Sequence, residues 1–402
     1  MTAQHVLTID FGVNGNSLGY LGGGWARAEE GFAWMTGQES HLLLNLEPDG
    51  REYVLTLRVA PFILPPGLRA QRLVVSLNET TIGMGAFSRP VVLGWRIPGH
   101  LIRPGRSLIT LSHPDAARPS DLVKSTDERE LAFSVEDASL HHFAPPAVGG
   151  PPLPAGLSLG AVVGPNFAVH PGTDLREWVA RRTGLSLAEL AMQFESIGDN
   201  CEFGLVQRKC DAEPLGLLRF SGAFSDGIVA GIENDFAGLG EPETIEPRLE
   251  DAKGRREYMI HERTYGLTYH SFVYEDERTP DVLRKQEAAR LTFLRRKFLD
   301  DLEEGEKIFV FKRNVPVPEA ELLPLFMALN RKRANSLLWV VPAEPGRPCG
   351  TVEVAMPGLL KGHIDRFAPN DNAHDFSFEA WIRLCANALL LNRLMRGTGG
   401  TA

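Results

Sequence analysis

Tyr53-Val54-Leu55-Thr56-Leu57-Arg58-Val59 sets Tyr53, Leu55, Leu57 and Val59 on one side of an extended chain and Arg58 on the other. A period of two marks a half-buried β-strand, because successive side chains leave opposite faces of the sheet. Leu73-Val75-Leu77 and Leu131-Phe133-Val135 repeat the pattern. Across residues 5–143, clusters of Gly, Pro, Asn and Asp interrupt such runs roughly every eight to twelve residues, the punctuation of an all-β segment. About eight or nine strands without a convincing helix bury their apolar sides most economically as two packed antiparallel sheets, a sandwich of jelly-roll type. Asn78-Glu79-Thr80 matches the glycosylation triplet, but at this place in the pattern it reads as a strand-to-strand turn.

The whole chain has 402 residues, 43% hydrophobic and 23% charged, enough for two independent cores. A net charge of -9, spread without a long acidic run, argues against nucleic acid or an anionic membrane surface as partner. The start Met1-Thr2-Ala3-Gln4-His5 lacks a basic, apolar leader, and no window approaches about eighteen consecutive apolar residues, so cytoplasmic location without membrane insertion is expected. The four cysteines, at 201, 210, 349 and 385, form no CxxC pair and no zinc spacing. Free thiols, no metal and no cofactor are expected; no glycine-rich phosphate loop follows a parallel strand.

Residues 144–158 are dominated by Pro, Gly and Ala and cannot sustain helix or sheet hydrogen bonding. They divide the chain into a sandwich over 1–145, a linker over 146–160 and a second domain over 161–395. In the latter, Asp174 and Ser186 are plausible helix N-caps, and a short strand at 194–197 runs through Gly198-Asp199-Asn200 into a helix starting at Cys201. Gly204 is a weak point in that helix. Residues 256–273 read as a strand pair, and Thr279-Pro280 opens a long helix stopped by Gly305. Continuous apolar strands at 308–311 and 337–341 alternate with amphipathic helices, which predicts an α/β domain with a mainly parallel sheet, carrying an inserted antiparallel pair. Residues 352–356 add a further strand, and a helix near 377–391 closes the domain.

A cysteine at the first turn of a helix meets unpaired backbone N–H groups and the positive end of the helix dipole, which favour a thiolate and could hold an oxyanion. Asp199 and Asn200 lie in the turn that presents Cys201. His270, on a strand, is the best candidate base by type and order. A tight turn at Arg263-Thr264 would set Glu257 opposite His270 as the residue that orients its ring.

Ser196-Ile197-Gly198-Asp199-Asn200-Cys201, Leu217-Leu218-Arg219-Phe220-Ser221, Tyr265-Gly266-Leu267-Thr268-Tyr269-His270 and the run 308–313 resemble a bacterial family of papain-like cysteine peptidases, over roughly residues 190–385. The resemblance implies that Cys201 and His270 are the functional pair. Ser271 follows His270 where many members carry an aspartate. Gly24-Trp25, the run Glu29-Glu30-Gly31-Phe32-Ala33-Trp34, Pro61-Phe62, Leu77-Asn78 and His113-Pro114-Asp115-Ala116 resemble a β-sandwich module attached to bacterial polysaccharide-synthesis proteins and glycosyltransferases. That resemblance implies saccharide or polysaccharide-synthesis proteins as partners. Trp25 and Trp34 either stack on a sugar face or plug the sandwich core.

Asp371-Asn372-Ala373-His374 has a spacing that resembles the final block of SGNH hydrolases, with Gly198-Asp199-Asn200 standing where their Gly-Asp-Ser lies. Asn200 replaces that serine, so this alternative would use Asp371 and His374 with Cys201 as a displaced nucleophile. His141 and His142 point to opposite faces of a strand and do not form a metal pair. The sequence therefore predicts a cysteine-dependent hydrolase or acyltransferase linked to surface-glycan metabolism. The alternatives are a non-catalytic glycan-binding or assembly protein, or a glycan-modifying enzyme such as an SGNH-like esterase or a glycosyltransferase.

Overall fold

The structure, a computed structural model, describes residues 3–143, 162–163, 174–252 and 254–397. Linker residues 146–160 fall outside the described residues. The chain forms two compact units, one of residues 2–145 together with Val317–Met327, the other of the remainder.

In the first unit the alternating runs become nine strands: β1 (Ala3–Asp10), β2 (Ala33–Thr36), β3 (Glu39–Asn45), β4 (Glu52–Pro61), β5 (Gln71–Leu77), β6 (Thr80–Phe87), β7 (Val91–Ile97), β8 (Arg106–Ser112) and β9 (Leu131–Phe143). A single helical turn, α1 (Pro119–Leu122), precedes β9. One sheet has the order β1-β9-β4-β7, with β2 also on β9; the other has the order β3-β8-β5-β6. Leu55, Leu57, Phe133 and Val135 of the first sheet share one core with Leu73, Val75, Ile109 and Leu111 of the second. Asn78 and Glu79, at φ 45° and 75°, make the two-residue β5–β6 hairpin, whose primed turn requires positive φ at both positions. Val317–Met327 belongs to this unit by its packing. Ala320 joins the sandwich core, Glu321 pairs with Arg89, and Gly94 admits Pro324 so closely that an added Cβ would stand 3.1 Å from it.

The rest of the chain runs β10 (Val162–Val163), α2 (Leu175–Thr183), α3 (Leu187–Met192), β11 (Phe194–Ser196), α4 (Glu202–Lys209), α5 (Ser225–Glu233), β12 (Ile245–Ala252), β13 (Arg255–Glu262), β14 (Leu267–Tyr274), α6 (Pro280–Glu304), β15 (Ile308–Lys312), α7 (Glu319–Leu329), which as far as Met327 belongs to the first unit, β16 (Ser336–Pro342), β17 (Val352–Met356), β18 (Leu359–Ile364) and α8 (Phe378–Met395). Asp174 caps α2 by accepting the Arg176 N–H at 3.1 Å, and Ser186 with Glu189 forms a capping box on α3. Gly305, at φ 65°, ends α6. A six-stranded sheet has the order β10-β17-β18-β16-β15-β11; β11, β15, β16 and β18 run parallel, and β17 runs antiparallel to β18. Val310, Leu338 and Leu360 pack beneath Phe203 of α4 and Trp381 and Leu384 of α8.

Two elements depart from the sequence reading. The predicted strand pair is a three-stranded antiparallel sheet, β12-β13-β14, because the charged run at 245–252 pairs along β13 as an edge strand. β18, interrupted by Lys361 and Gly362 and so lacking a clear apolar run, inserts between β16 and β17. Among the described residues no helix is long and apolar enough to cross a membrane.

Candidate active site

Residues 197–201 link the end of β11 to α4 and lie across the end of β15. The Ile197 N–H donates to the Val310 carbonyl at 3.0 Å, and Gly198 packs so closely that an added Cβ would stand 3.2 Å from the Lys312 carbonyl oxygen. Asp199 anchors the turn: one carboxylate oxygen accepts the Asn314 N–H at 3.0 Å, and the other lies 3.4 Å from Arg313 Nε. Cys201 occupies the N-cap position of α4, half-buried, and its thiol donates to the Phe220 carbonyl at 3.7 Å.

The expected thiolate-stabilising helix start is corrected in two respects. Asn200 Oδ1 already accepts the Glu202 N–H at 3.0 Å, so that donor is not aimed at a ligand. Burial also pushes the Cys201 thiol up from its ordinary range; Lys312 and then Arg208 pull the other way and do not overcome it. The resting sulfur is a protonated thiol.

His270 stands on β14, its side chain 50% exposed, with Nδ1 3.2 and 3.3 Å from the two carboxylate oxygens of Glu257. Glu257 on β13 is only 4% exposed. The pairing arises by a different geometry from the predicted tight turn. Glu262 pairs with Leu267 across a loop containing Gly266 at φ 69°, which puts Met259, not Glu257, opposite His270. A bulge beyond Met259 and Phe272 at φ 55° then bend β14 so that Glu257 reaches His270 diagonally. Glu257 Oε1 also accepts the Phe272 N–H at 2.9 Å, and the Phe272 ring stacks on the imidazole at 5.6 Å.

Phe220 to Gly222 connects the two halves. Phe220 receives the thiol, and Gly222 exchanges backbone hydrogen bonds with Thr268, two residues before His270, at 2.7 and 2.9 Å. Side chains two apart on a strand share a face. The buried Arg219 guanidinium holds this connection to α4, donating to the carbonyls of Gly204, Ala212 and Pro214 at 3.0 to 3.1 Å and to Glu213 at 2.6 Å. Among the described residues no hydrogen bond joins the Cys201 thiol directly to His270. The strand framework places them on neighbouring segments, and the thiol rests on Phe220.

The Asp371/His374 alternative reaches the same end of the sheet, because Asn370 Oδ1 accepts from Asn314 Nδ2 at 2.7 Å. Asp371 and His374 are both exposed, and no hydrogen bond or ion pair joins them among the described residues. The orienting contact that an Asp–His pair needs is not made. Cys210 is buried, its thiol pushed up to about 12 by burial, and Cys385 is buried in α8. Trp25 packs on the sandwich core, its Nε1 donating to the His41 carbonyl at 2.9 Å and its ring 4.9 Å from Phe11. Trp34 faces outward between the core residues Ala33 and Met35, edge-on to Phe32 and Phe62 at 5.9 and 6.2 Å. Among the described residues no group of His, Cys, Asp and Glu could hold a metal.

Sequence reasoning passed over three residues here. Lys312, 1% exposed, ends an otherwise apolar strand and meets the fully buried Glu202 at 2.8 Å. Its signal was a lysine continuing the run Ile308-Phe309-Val310-Phe311 on a strand buried on both faces. Phe272 gave no signal, because its importance comes from the bulge.

Comparison with protein-family models finds no match, and no curated protein matches. Similar solved structures include the CBM36-1 domain of a multidomain xylanase from the hindgut metagenome of Trinervitermes trinervoides, 12% identical over 33% of this chain and 94% of that one, with TM-score 0.22. A carbohydrate-binding module CBM36 in complex with calcium and xylotriose is 10% identical over 34% of this chain and 99% of that one, with TM-score 0.21. The C-terminal domain of the sugar-binding protein EclA is 11% identical over 35% of this chain and 80% of that one, with TM-score 0.18. These matches fall on the N-terminal region, and no family match supports a papain-like peptidase in the C-terminal region.

Proposed function

We propose that the chain is a cysteine-dependent hydrolase or acyltransferase working from an α/β C-terminal domain, with Cys201 as nucleophile, His270 as general base and Glu257 orienting the imidazole. The observation that carries this reading is the buried Glu257 carboxylate on His270 Nδ1, which leaves Nε2 for proton transfer. In the forward step Nε2 takes the thiol proton as Sγ bonds to the substrate carbonyl carbon. Collapse of the tetrahedral intermediate breaks the bond to the leaving group, which departs with the proton returned by His270. Water, giving a proton to the same nitrogen, then cleaves the thioester; another nucleophile in its place gives acyl transfer. Because burial favours the protonated thiol, its deprotonation accompanies attack.

The test is turnover of a panel of small esters, thioesters and peptide amides by the full chain. At least one class is hydrolysed; Cys201→Ala abolishes its turnover and His270→Ala lowers kcat about 10²- to 10⁴-fold. Equal rates in wild type and both variants would sink the reading.

A second reading, glycan binding by the sandwich, is favoured by one observation, the outward-facing Trp34 framed by Phe32 and Phe62. It would place the protein in cytoplasmic steps of bacterial surface-glycan metabolism, with saccharide or polysaccharide-synthesis proteins as partners. A glycan array probed with the full chain and with Trp34→Ala tests it; binding that is absent, or identical in the two proteins, removes Trp34 from the account.

A further inference from the structure

A complete ion pair lies sealed beneath the turn that carries Cys201. Lys312 Nζ is 2.8 Å from Glu202 Oε2 and donates to Asn314 Oδ1 at 2.7 Å, while Glu202 Oε1 accepts the Trp381 indole N–H at 2.8 Å. The two side chains are 2% and 0% exposed. Lys312 also lies over the Phe367 ring at 5.0 Å. Desolvating both charges costs several kcal/mol per ion, and a well-packed apolar pair of similar volume is commonly as stable or more so. Fold stability alone therefore gives no reason for a lysine and a glutamate here. Their position gives one. Glu202 is the residue after Cys201, Gly198 packs on the Lys312 backbone, and Asn314, which accepts from Lys312, donates its N–H to Asp199. Gly198, Asp199, Asn200 and Glu202 of this turn thus each bear on Lys312 or on a direct partner of it.

We propose that the Lys312–Glu202 pair is a positioning device for Cys201, pinning the turn that presents the thiol and setting the electrostatic field at its sulfur. Lys312 is the strongest cationic influence on the thiol, ahead of Arg208. The other charged groups near the turn are Asp199 with Arg313, Arg219 beneath Phe220, and His270 with Glu257 on the hairpin. Neutralising Glu202 leaves the lysine charge unopposed and favours the thiolate; replacing both members removes the cation and disfavours it.

The proposal rests on Cys201 being the reactive thiol. Its readout is the chemistry of that thiol and not turnover, so its failure is separable from failure of the catalytic reading. The experiment is iodoacetamide labelling of the native full chain across pH, with modification of the Cys201 peptide followed by mass spectrometry. Glu202→Gln, which preserves shape and the acceptor for Trp381, moves the labelling midpoint down by about one pH unit. The double variant Glu202→Gln with Lys312→Met moves it up. Opposite shifts support the device. Profiles matching wild type in both folded variants overturn it, and so does loss of the fold in both, which would assign the pair to folding alone. If only one variant folds, the direction of its shift decides.

Discussion

At the scale of single residues, the competition at Cys201 is between burial, which favours the neutral thiol, and the Lys312 charge, which favours the anion; burial wins. Iodoacetamide should therefore label Cys201 slowly at pH 7, with a midpoint above the free-thiol value of about 8.5. A midpoint below 7 would contradict the balance described here. Glu257 has two duties, to His270 Nδ1 and to the Phe272 N–H. Glu257→Gln keeps an acceptor but weakens control of the ring, and is expected to lower kcat about 10²-fold or more with KM little changed. Glu195 has a different, structural pH dependence. It is 1% exposed, one carboxylate oxygen has no hydrogen-bond partner among the described residues, and burial pushes it up to about 7 despite Lys307 at 3.4 Å. Its folded value lies above its unfolded one, so the native state holds the proton more tightly. Stability therefore falls as pH rises from about 4.5 to about 7 and is level above, a loss on the order of 3 kcal/mol. Denaturant melts at pH 5 and pH 8 should show that decline in wild type and a much smaller one in Glu195→Gln; equal declines would remove Glu195 as its source.

At the scale of elements, α4 and the β13–β14 hairpin show what the sequence disclosed and what it withheld. Gly204 registers in the sequence as a defect in a helix. In the fold it is the point where the Arg219–Phe220 segment crosses α4: an added Cβ would stand 2.6 Å from the Phe220 ring and 2.8 Å from the Arg219 carbonyl. Gly204→Ala should therefore cost about 1–3 kcal/mol despite the better helix propensity of alanine, measured by chemical denaturation. Caps, the Thr279-Pro280 start and the Gly305 stop of α6 were legible because they are local. The Glu257–His270 contact was named from a register that does not occur, since the bulge restoring it depends on Phe272 adopting positive φ. A phenylalanine there is strained by about 1–3 kcal/mol. Phe272→Gly should accordingly hold or raise Tm while lowering turnover, because the ring that stacks on His270 is gone; lower Tm with unchanged turnover would show the bulge to be idle.

At the scale of the whole molecule, the two-unit division carries a feature that reading along the chain does not expose. The alternating strands of residues 3–143 announce the sandwich, yet Val317–Met327 packs as part of it through Ala320, Pro324 and Glu321, although it is distant in sequence. Its apolar residues, buried all round from Ala320 to Leu329, carry no local signal of which surface they cover. Residues 2–145 expressed alone should consequently melt at a lower temperature than the same segment fused through a flexible linker to residues 317–327; equal melting would deny that packing any weight. The proposed chemistry would stand on a separate framework, the carboxyl ends of β11 and β15 and the β13–β14 hairpin, joined through Phe220 and Gly222. Whether that framework makes acyl-enzyme is decided most directly by incubating the full chain with p-nitrophenyl acetate and mapping the acetyl group by mass spectrometry. The expected product is a thioester on Cys201 that forms at least about 10²-fold more slowly in His270→Ala. Absence of acetyl on Cys201, or its formation at the wild-type rate without His270, would contradict it.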